Sequence, residues 1–331
     1  MRFKIVTSKA MSSSKERLTK SNFFRDHSSY FVPLIGFFVA SILVYFAGPQ
    51  RIYATVLKAD YKLLILAALV ANLPLIIYGL VWKKVLSFIE VDLDLKTNYQ
   101  VLLSNTFVNN LTPFGNIGGE VAATYYLSKL TDKSTGEIFS AVFLASLINF
   151  TPIISISLIG LLFLGYWEVS LITTFFVLVA LIYMENIIAK LPYFGLNSKI
   201  EKFISDFKSS KSLFAGKKKV LMSLLAVTHF SIVFNILSVL LLVQAYGSEI
   251  LLFDLMIILP LARAANYAPT PGGSGSYEVA LTGLLVILGG IGFSTAVSVA
   301  LAYRIVTYYL GLLFGYISFT SLHITQKSHI K

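Results

Sequence analysis

Six apolar runs constrain this chain more than any motif does. They cover roughly 30–48, 62–82, 137–165, 169–189, 220–246 and 294–322. About 20 residues of helix cross a hydrocarbon core of ~30 Å, so each run is long enough to span a membrane. No water is available there to satisfy the backbone, and runs of this length do so as helices. Three further apolar pieces are too short or too broken to cross: 97–111, 116–128 and 250–291. The last is interrupted at Ala268-Pro269-Thr270-Pro271-Gly272-Gly273. The chain therefore reads as an all-α polytopic membrane protein with six full spans and two re-entrant segments. Composition agrees. Apolar residues make up 56% and charged residues 13% of the 331, against about 45–50% and 25% in soluble domains. An ordinary soluble enzyme and a disordered chain are excluded. The absence of cysteine removes disulfide scaffolds, thiolate metal sites and cysteine nucleophiles.

A formal charge of +11 invites a nucleic-acid reading, but its placement argues against one. Seven basic residues precede residue 30, and eight more lie within 190–219. They punctuate the apolar runs, as cytoplasmic loops do under the positive-inside rule. With residues 1–29 as a basic cytoplasmic tail, the spans can be walked in order. Lys83, Lys84, Lys96, Lys129, Lys133 and the 190–219 loop then fall inside, together with a short tail at 324–331. Only Arg51, Lys58 and Lys62 fall outside, and Arg263 and Arg304 sit at membrane depth. This sidedness requires both interrupted segments to turn back on themselves. If each were a full span, lysine-rich loops would face both sides. The expected location is the cell membrane, multi-pass, with both termini cytoplasmic, and 30–323 forms one membrane domain.

The two interrupted segments resemble each other. Thr112-Pro113-Phe114-Gly115-Asn116-Ile117-Gly118-Gly119-Glu120-Val121-Ala122 aligns with Thr270-Pro271-Gly272-Gly273-Ser274-Gly275-Ser276-Tyr277-Glu278-Val279-Ala280, 158 residues on. The same offset carries the run 62–82 onto the start of 220–246, and 137–165 onto 294–322. The repeated unit is helix, broken dip, helix. Its two copies (about 30–166 and 169–323) run in opposite directions across the bilayer. Inverted repeats with interrupted helices meeting at mid-membrane are a signature of secondary transporters. Kinks in ordinary spanning helices are the alternative reading of these prolines and glycines.

Proline and glycine at membrane depth leave backbone groups unpaired, which must then face protein, water or ligand. A half-helix starts after each break, and its first N–H groups suit an anion such as phosphate. The candidate phosphate-head site comprises Thr112, Gly115, Gly118, Gly119, Glu120, Arg263, Thr270, Gly272, Gly273, Gly275, Glu278 and Arg304. Glu120 and Glu278 fall in the first turns of the half-helices, where a carboxylate is costly and by default functional. They can pair with Arg263 and Arg304 as structural ties, or share a charged cavity in which the arginines grip phosphate. In such a cavity, burial and nearby cations act on a carboxyl in opposite directions, and a glutamate could exchange a proton during transport. Asn109, Asn110, Asn266 and Tyr308 either line the cavity or serve as caps and packing. Asn149, Asn235 and His229 read as interhelical hydrogen-bonding residues.

No HExxH, GxSxG or Walker A string occurs, so no enzymatic activity, metal or cofactor is expected. The strings Asn109-Asn110-Leu111-Thr112-Pro113-Phe114-Gly115 through Glu120, and Ala268-Pro269-Thr270-Pro271-Gly272-Gly273-Ser274-Gly275 through Glu278, resemble the lysylphosphatidylglycerol synthase transmembrane-region family. Arg304-Ile305-Val306-Thr307-Tyr308-Tyr309 is similar to a late string of that family. The resemblance covers about residues 30–323. In relatives that make aminoacyl-phosphatidylglycerol, a soluble transferase domain follows the membrane region. This sequence ends nine residues after the sixth run, so the resemblance implies lipid handling without the synthase activity. The expected function is a flippase-like translocase for a phosphate-bearing lipid, either an anionic phospholipid or a polyprenyl-phosphate-linked sugar. The expected partner is a membrane lipid and not a nucleic acid. The alternatives are a lipid-modifying membrane enzyme, with Glu120 or Glu278 as general base, and a partner subunit. The latter would dock a separate synthase or glycosyltransferase through the basic loop.

Overall fold

The computed structural model describes residues 38–39, 41–112, 117–176, 205–206, 216–268 and 270–329. The tail 1–29, most of the basic loop 190–219, the second half of the 169–189 run and residues 113–116, with Gly115, lie outside them. Among the described residues the structure is helical, with no strand. Four helices are long and apolar enough to cross a membrane: Tyr61–Ile89, Thr135–Phe163, Lys218–Ala245 and Phe293–Leu322. They match four of the six predicted runs. The other two appear as helical stretches at 41–47 and 167–176 that lead into residues outside the described set.

In chain order the helices are α1 (Pro49–Leu57), α2 (Tyr61–Leu86), α3 (Leu95–Leu111), α4 (Ile117–Leu130), α5 (Thr135–Phe163), α6 (Lys218–Ala245), α7 (Leu252–Ala264), α8 (Ser276–Ile287), α9 (Phe293–Arg304) and α10 (Leu310–His329). A π-turn, Ile305–Tyr309, joins α9 to α10, and α10 runs on past 323, where a tail begins in the sequence reading.

Local chemistry sets the boundaries. The Asp60 carboxylate accepts from Lys62 N (2.8 Å) and caps α2, while Lys83 and Lys84 complement its last turn. Asp94 caps α3 through Thr97 N at 2.6 Å. Ser134 and Glu137 form a reciprocal capping box on α5. Pro152, inside α5, cannot bond the Ile148 carbonyl, and two threonine hydroxyls take its place: Thr151 at 2.7 Å and Thr228 of α6 at 3.4 Å.

The long helices are apolar all round because lipid, not water, is their outer solvent. Leu69, Phe230, Leu313 and Ile317 remain exposed on that outer surface. Inside, two cores form. One gathers Trp82, Leu102, Leu127 and Ile138 around α2–α5. The other gathers Val239, Ile258, Tyr277 and Leu281 around α6–α9. α2 packs along α6, α3 along α10, and α3 and α4 form a pair, as do α7 and α8.

The two sets of helices correspond. Shifted by 158 residues, α2 falls at 219–244, and α6 covers 218–245. Likewise α3 falls at 253–269 over α7, α4 at 275–288 over α8, and α5 at 293–321 over α9 and α10. The segments between α3 and α4 and between α7 and α8 are the two sequence breaks.

Candidate functional site

The breaks touch. Tyr308 Oη donates to the Asn110 carbonyl (3.3 Å) and accepts from Ser274 Oγ (3.0 Å), so one phenol ties the end of α3 to the turn before α8. Gly272 lies against the Asn110 backbone, where a Cβ would come within 3.0 Å of its carbonyl oxygen and 2.6 Å of the Tyr308 ring. Its φ of +55°, with +65° at Gly273, also favours glycine. Gly119 is required for a different reason. A Cβ there would collide with the Asn105 carbonyl and the Asn109 side chain, so α3 and α4 could not approach as they do.

Beside this junction lies a cavity of about 680 Å³. Of the predicted site residues, Glu120, Arg263, Gly272, Arg304, Asn109, Asn110, Asn266 and Tyr308 line it. Thr112, Gly118, Gly119, Thr270, Gly273, Gly275 and Glu278 do not. The threonines and glycines shape the turns: Thr112 Oγ1 donates to the Val108 carbonyl at 3.0 Å, and the Thr270 carbonyl accepts from Gly273 N at 3.1 Å. Gly118 packs on the Thr112 side chain.

The sequence suggests an open anion cradle at each half-helix start, and among the described residues one N–H of each is taken by a side chain of the protein itself. Asn109 Oδ1 accepts from Gly119 N at 2.6 Å, and Glu278 Oε2 accepts from Gly275 N at 2.8 Å. Both chains satisfy first-turn donors internally, because an unpaired N–H in a buried apolar setting is costly.

The glutamates have different surroundings. Glu278 is 3% exposed and Arg304 5%. Glu278 Oε1 accepts from Arg304 Nε at 2.8 Å. The same guanidinium donates from Nη2 to the Gly272 carbonyl (3.1 Å) and lies 4.1 Å from the Tyr308 ring centroid. The two charges pair directly, and each Glu278 oxygen has a donor. Glu120 is equally buried, at 5% exposed. Its Oε1 accepts from Ser146 Oγ at 2.7 Å, and Tyr78 Oη is 3.2 Å from that hydroxyl. Among the described residues its Oε2 has no partner and no cation lies within ion-pairing distance.

Ser146 is the residue that sequence reasoning missed. It stands 26 positions after Glu120, as Arg304 stands 26 after Glu278. The 158-residue offset therefore superposes the two carboxylate–partner pairs. Asn105 is likewise the counterpart of Arg263. Applying the offset to the arginines would have found both.

Arg263 has no hydrogen-bond or ion-pair partner among the described residues, and it faces the cavity. Four lining atoms are buried and unpartnered: Asn105 Nδ2, Glu120 Oε2, Asn266 Oδ1 and Tyr277 Oη. Leaving each one unmade costs about 1–3 kcal/mol unless water or ligand meets it. As expected, Asn235 and His229 bond between helices, to Tyr303 Oη (2.9 Å) and Ser155 Oγ (2.9 Å). Asn149 lines the cavity. No cluster of three or more metal-ligating side chains occurs among the described residues.

Similarity to known proteins agrees with this architecture. A UPF0104 membrane protein of Pyrococcus horikoshii is 24% identical over 318 residues, covering 86% of this chain and 95% of that protein. A UPF0104 membrane protein of Methanocaldococcus jannaschii is 25% identical over 309 residues, covering 85% and 90%. One from Methanothermobacter thermautotrophicus is 27% identical over 312 residues, covering 83% and 89%. The family described as lysylphosphatidylglycerol synthase TM region matches residues 34–315. A multi-pass membrane protein by its helices, the chain belongs to the lysylphosphatidylglycerol synthase transmembrane-region family.

Proposed function

We propose that the protein translocates a phosphate-bearing membrane lipid between leaflets, its headgroup passing through the cavity between the two breaks. Arg263 carries this reading. It is a half-buried guanidinium with no counter-charge among the described residues, facing the cavity of a membrane protein, where an unpaired cation is expensive. A planar guanidinium binds phosphate through two parallel hydrogen bonds. On the same cavity wall the unpartnered Asn105 Nδ2 and Tyr277 Oη can donate to a phosphate, and Asn266 Oδ1 can accept from a headgroup hydroxyl or amine. The family's name suggests a phosphatidylglycerol-type lipid, whose phosphate an arginine can hold, and a polyprenyl-phosphate-linked sugar offers the same phosphate.

The transport mechanism rests on reading the two halves as an inverted repeat with re-entrant α3–α4 and α7–α8 pairs. The helix-by-helix correspondence supports it, and so does the charge of matching loops. Lys83, Lys84, Lys96, Lys129 and Lys133 flank α3 and α4 in the first half, whereas the corresponding positions 241, 242, 254, 287 and 291 carry no base. Opposite faces of the bilayer would select that difference. The halves then rock about the fixed junction at Tyr308 and Asn110, exposing the headgroup to one leaflet at a time while the tails stay in lipid.

Proteoliposomes carrying fluorescent phospholipids test this. The wild type should accelerate leaflet exchange of an anionic phosphate lipid. Arg263→Ala should lower it at least tenfold without loss of folding, because Arg263 has no buried partner to strand. No acceleration for phospholipid or polyprenyl-phosphate lipids, or full activity in Arg263→Ala, refutes the reading. The unpartnered Glu120 oxygen favours one second reading, a lipid-modifying enzyme with Glu120 as general base. Recovery of covalently altered lipid would decide for it.

A further inference from the structure

The cavity charges do not balance by pairing. Arg304 and Glu278 neutralise one another at 2.8 Å, which leaves Arg263 and Glu120 facing the same cavity. Where the second half has Arg304, the first has Ser146, a donor without charge. Where the second half has Arg263, the first has Asn105. One glutamate therefore has a dedicated cation and the other has none, although both are buried to a similar degree.

We infer that Glu120 is a proton-binding site that couples proton movement to lipid translocation, while Glu278 is a structural partner of Arg304. The inference rests on the translocase reading and adds its driving ion. It stands on the geometry of Glu120, a residue that lines the cavity: one oxygen is held by Ser146 Oγ, and the other is buried without a partner among the described residues. α3 presents the amides of Asn105 and Asn109 to it, and α5 presents Ser146. The titratable and charged groups around it are Tyr78 of α2, reached through Ser146, with Tyr267 and Arg263 across the cavity. None of these supplies Glu120 with an ion pair.

Coupling follows from the charge count. With Glu120 protonated, the cavity carries the single positive charge of Arg263 and attracts an anionic head. When the Glu120 O–H bond breaks and its proton passes to cavity water, the carboxylate cancels that charge and the head is released. Re-entry of a proton from water restores the first state. Proton and anion binding favour one another reciprocally, as linkage requires. Lipid head and proton therefore travel in the same direction.

Two measurements separate this inference from the translocase reading. The first is an infrared pH titration of the detergent-solubilised protein, following the C=O band of protonated carboxyl groups. Glu120→Gln should delete a titrating component, and a spectrum unchanged by that substitution overturns the proton site. The second is lipid exchange in proteoliposomes under an imposed pH gradient, with a lumenal pH dye. The wild type should show several-fold faster exchange down the proton gradient, with matching proton flux. Glu120→Gln should abolish both the flux and the gradient response. Ser146→Arg, which gives Glu120 the second half's cation, should also abolish the gradient response in a protein that elutes as a single folded species. Exchange that ignores the pH gradient, or follows a sodium gradient, overturns the inference and leaves the translocase standing. A titrating Glu120 band with no exchange of any lipid overturns the translocase reading and coupling with it.

Discussion

The two breaks share a plan and differ in what neutralises their carboxylates. Both place a glutamate in the first turn of the helix after the break and a partner 26 residues on. In the second half the partner is Arg304, and the result is a tie: two hydrogen bonds onto Glu278, one onto the Gly272 carbonyl and a ring on the guanidinium face. In the first half the partner is Ser146, and an oxygen of Glu120 is left over. The loops reverse the pattern. The first half ties its loops with exposed ion pairs, Lys83–Asp92 at 2.8 Å and Lys133–Glu90 at 2.9 Å. At the matching positions the second half has Leu241, Ile250, Ser248 and Ile291. Segments with matching helix boundaries need not share their charges, so one set carries its ion pairs on exposed loops and the other in its interior.

The sharpest test of this contrast is to remove each partner in turn. Arg304→Ala leaves Glu278 buried and uncompensated, and should cost about 3–5 kcal/mol. Ser146→Ala removes one hydrogen bond from Glu120 and should cost less than half of that. Thermal unfolding in detergent measures both, and equal losses would mean that the two glutamates are not differently held. Gly119→Ala comes next. It forces a methyl against the Asn105 carbonyl and Asn109, and about 1–3 kcal/mol of overpacking is expected. Unchanged stability would show that α3 and α4 can separate without penalty.

Tyr308→Phe probes the joint between the halves. It removes the donor to the Asn110 carbonyl and the acceptor for Ser274, which should cost about 0.5–1.5 kcal/mol per bond. It should also loosen the break, read as faster amide exchange at 272–276. The smallest effect belongs to the loops. The hydrogen bond and charge of Lys133 hold the Glu90 carboxyl below its ordinary range, and the Thr97 backbone and hydroxyl do the same for Asp94. A carboxyl depressed in the folded state adds stability above its unfolded pKa and loses it as pH falls through the folded value. The melting temperature should therefore drop slightly on acidification below the ordinary carboxylate range. Glu90→Gln should flatten that limb, with screening in solvent keeping the change small.

Much of the fold is legible in the sequence, because hydropathy and backbone chemistry are local. Apolar runs of about 20 residues announce α2, α5, α6 and the α9–α10 span. Proline and glycine clustered at 113–119 and 269–275 mark the breaks, since together they interrupt a helix that an isolated proline such as Pro152 does not end. The candidate site was legible in part. Glu120, Arg263, Arg304 and Tyr308 were identified, and they do line one cavity. At the two half-helix starts, Asn109 and Glu278 each take one N–H, of Gly119 and Gly275. The Glu278 contact follows the i to i+3 spacing of a capping box, whereas the Asn109 contact, ten residues from Gly119, depends on the packing of α3 against α4, which no spacing rule encodes.

The sequence alone determined the spanning helices, the positions of the breaks and the 158-residue correspondence between the halves. Tertiary structure alone decided which glutamate is paired. Tyr308 reaches Asn110 across 198 residues of chain, and whether a carboxylate meets a guanidinium or a hydroxyl depends on packing between helices. Burial makes that meeting matter, because a charge in a low-dielectric interior is tolerable when countered and consequential when it is not.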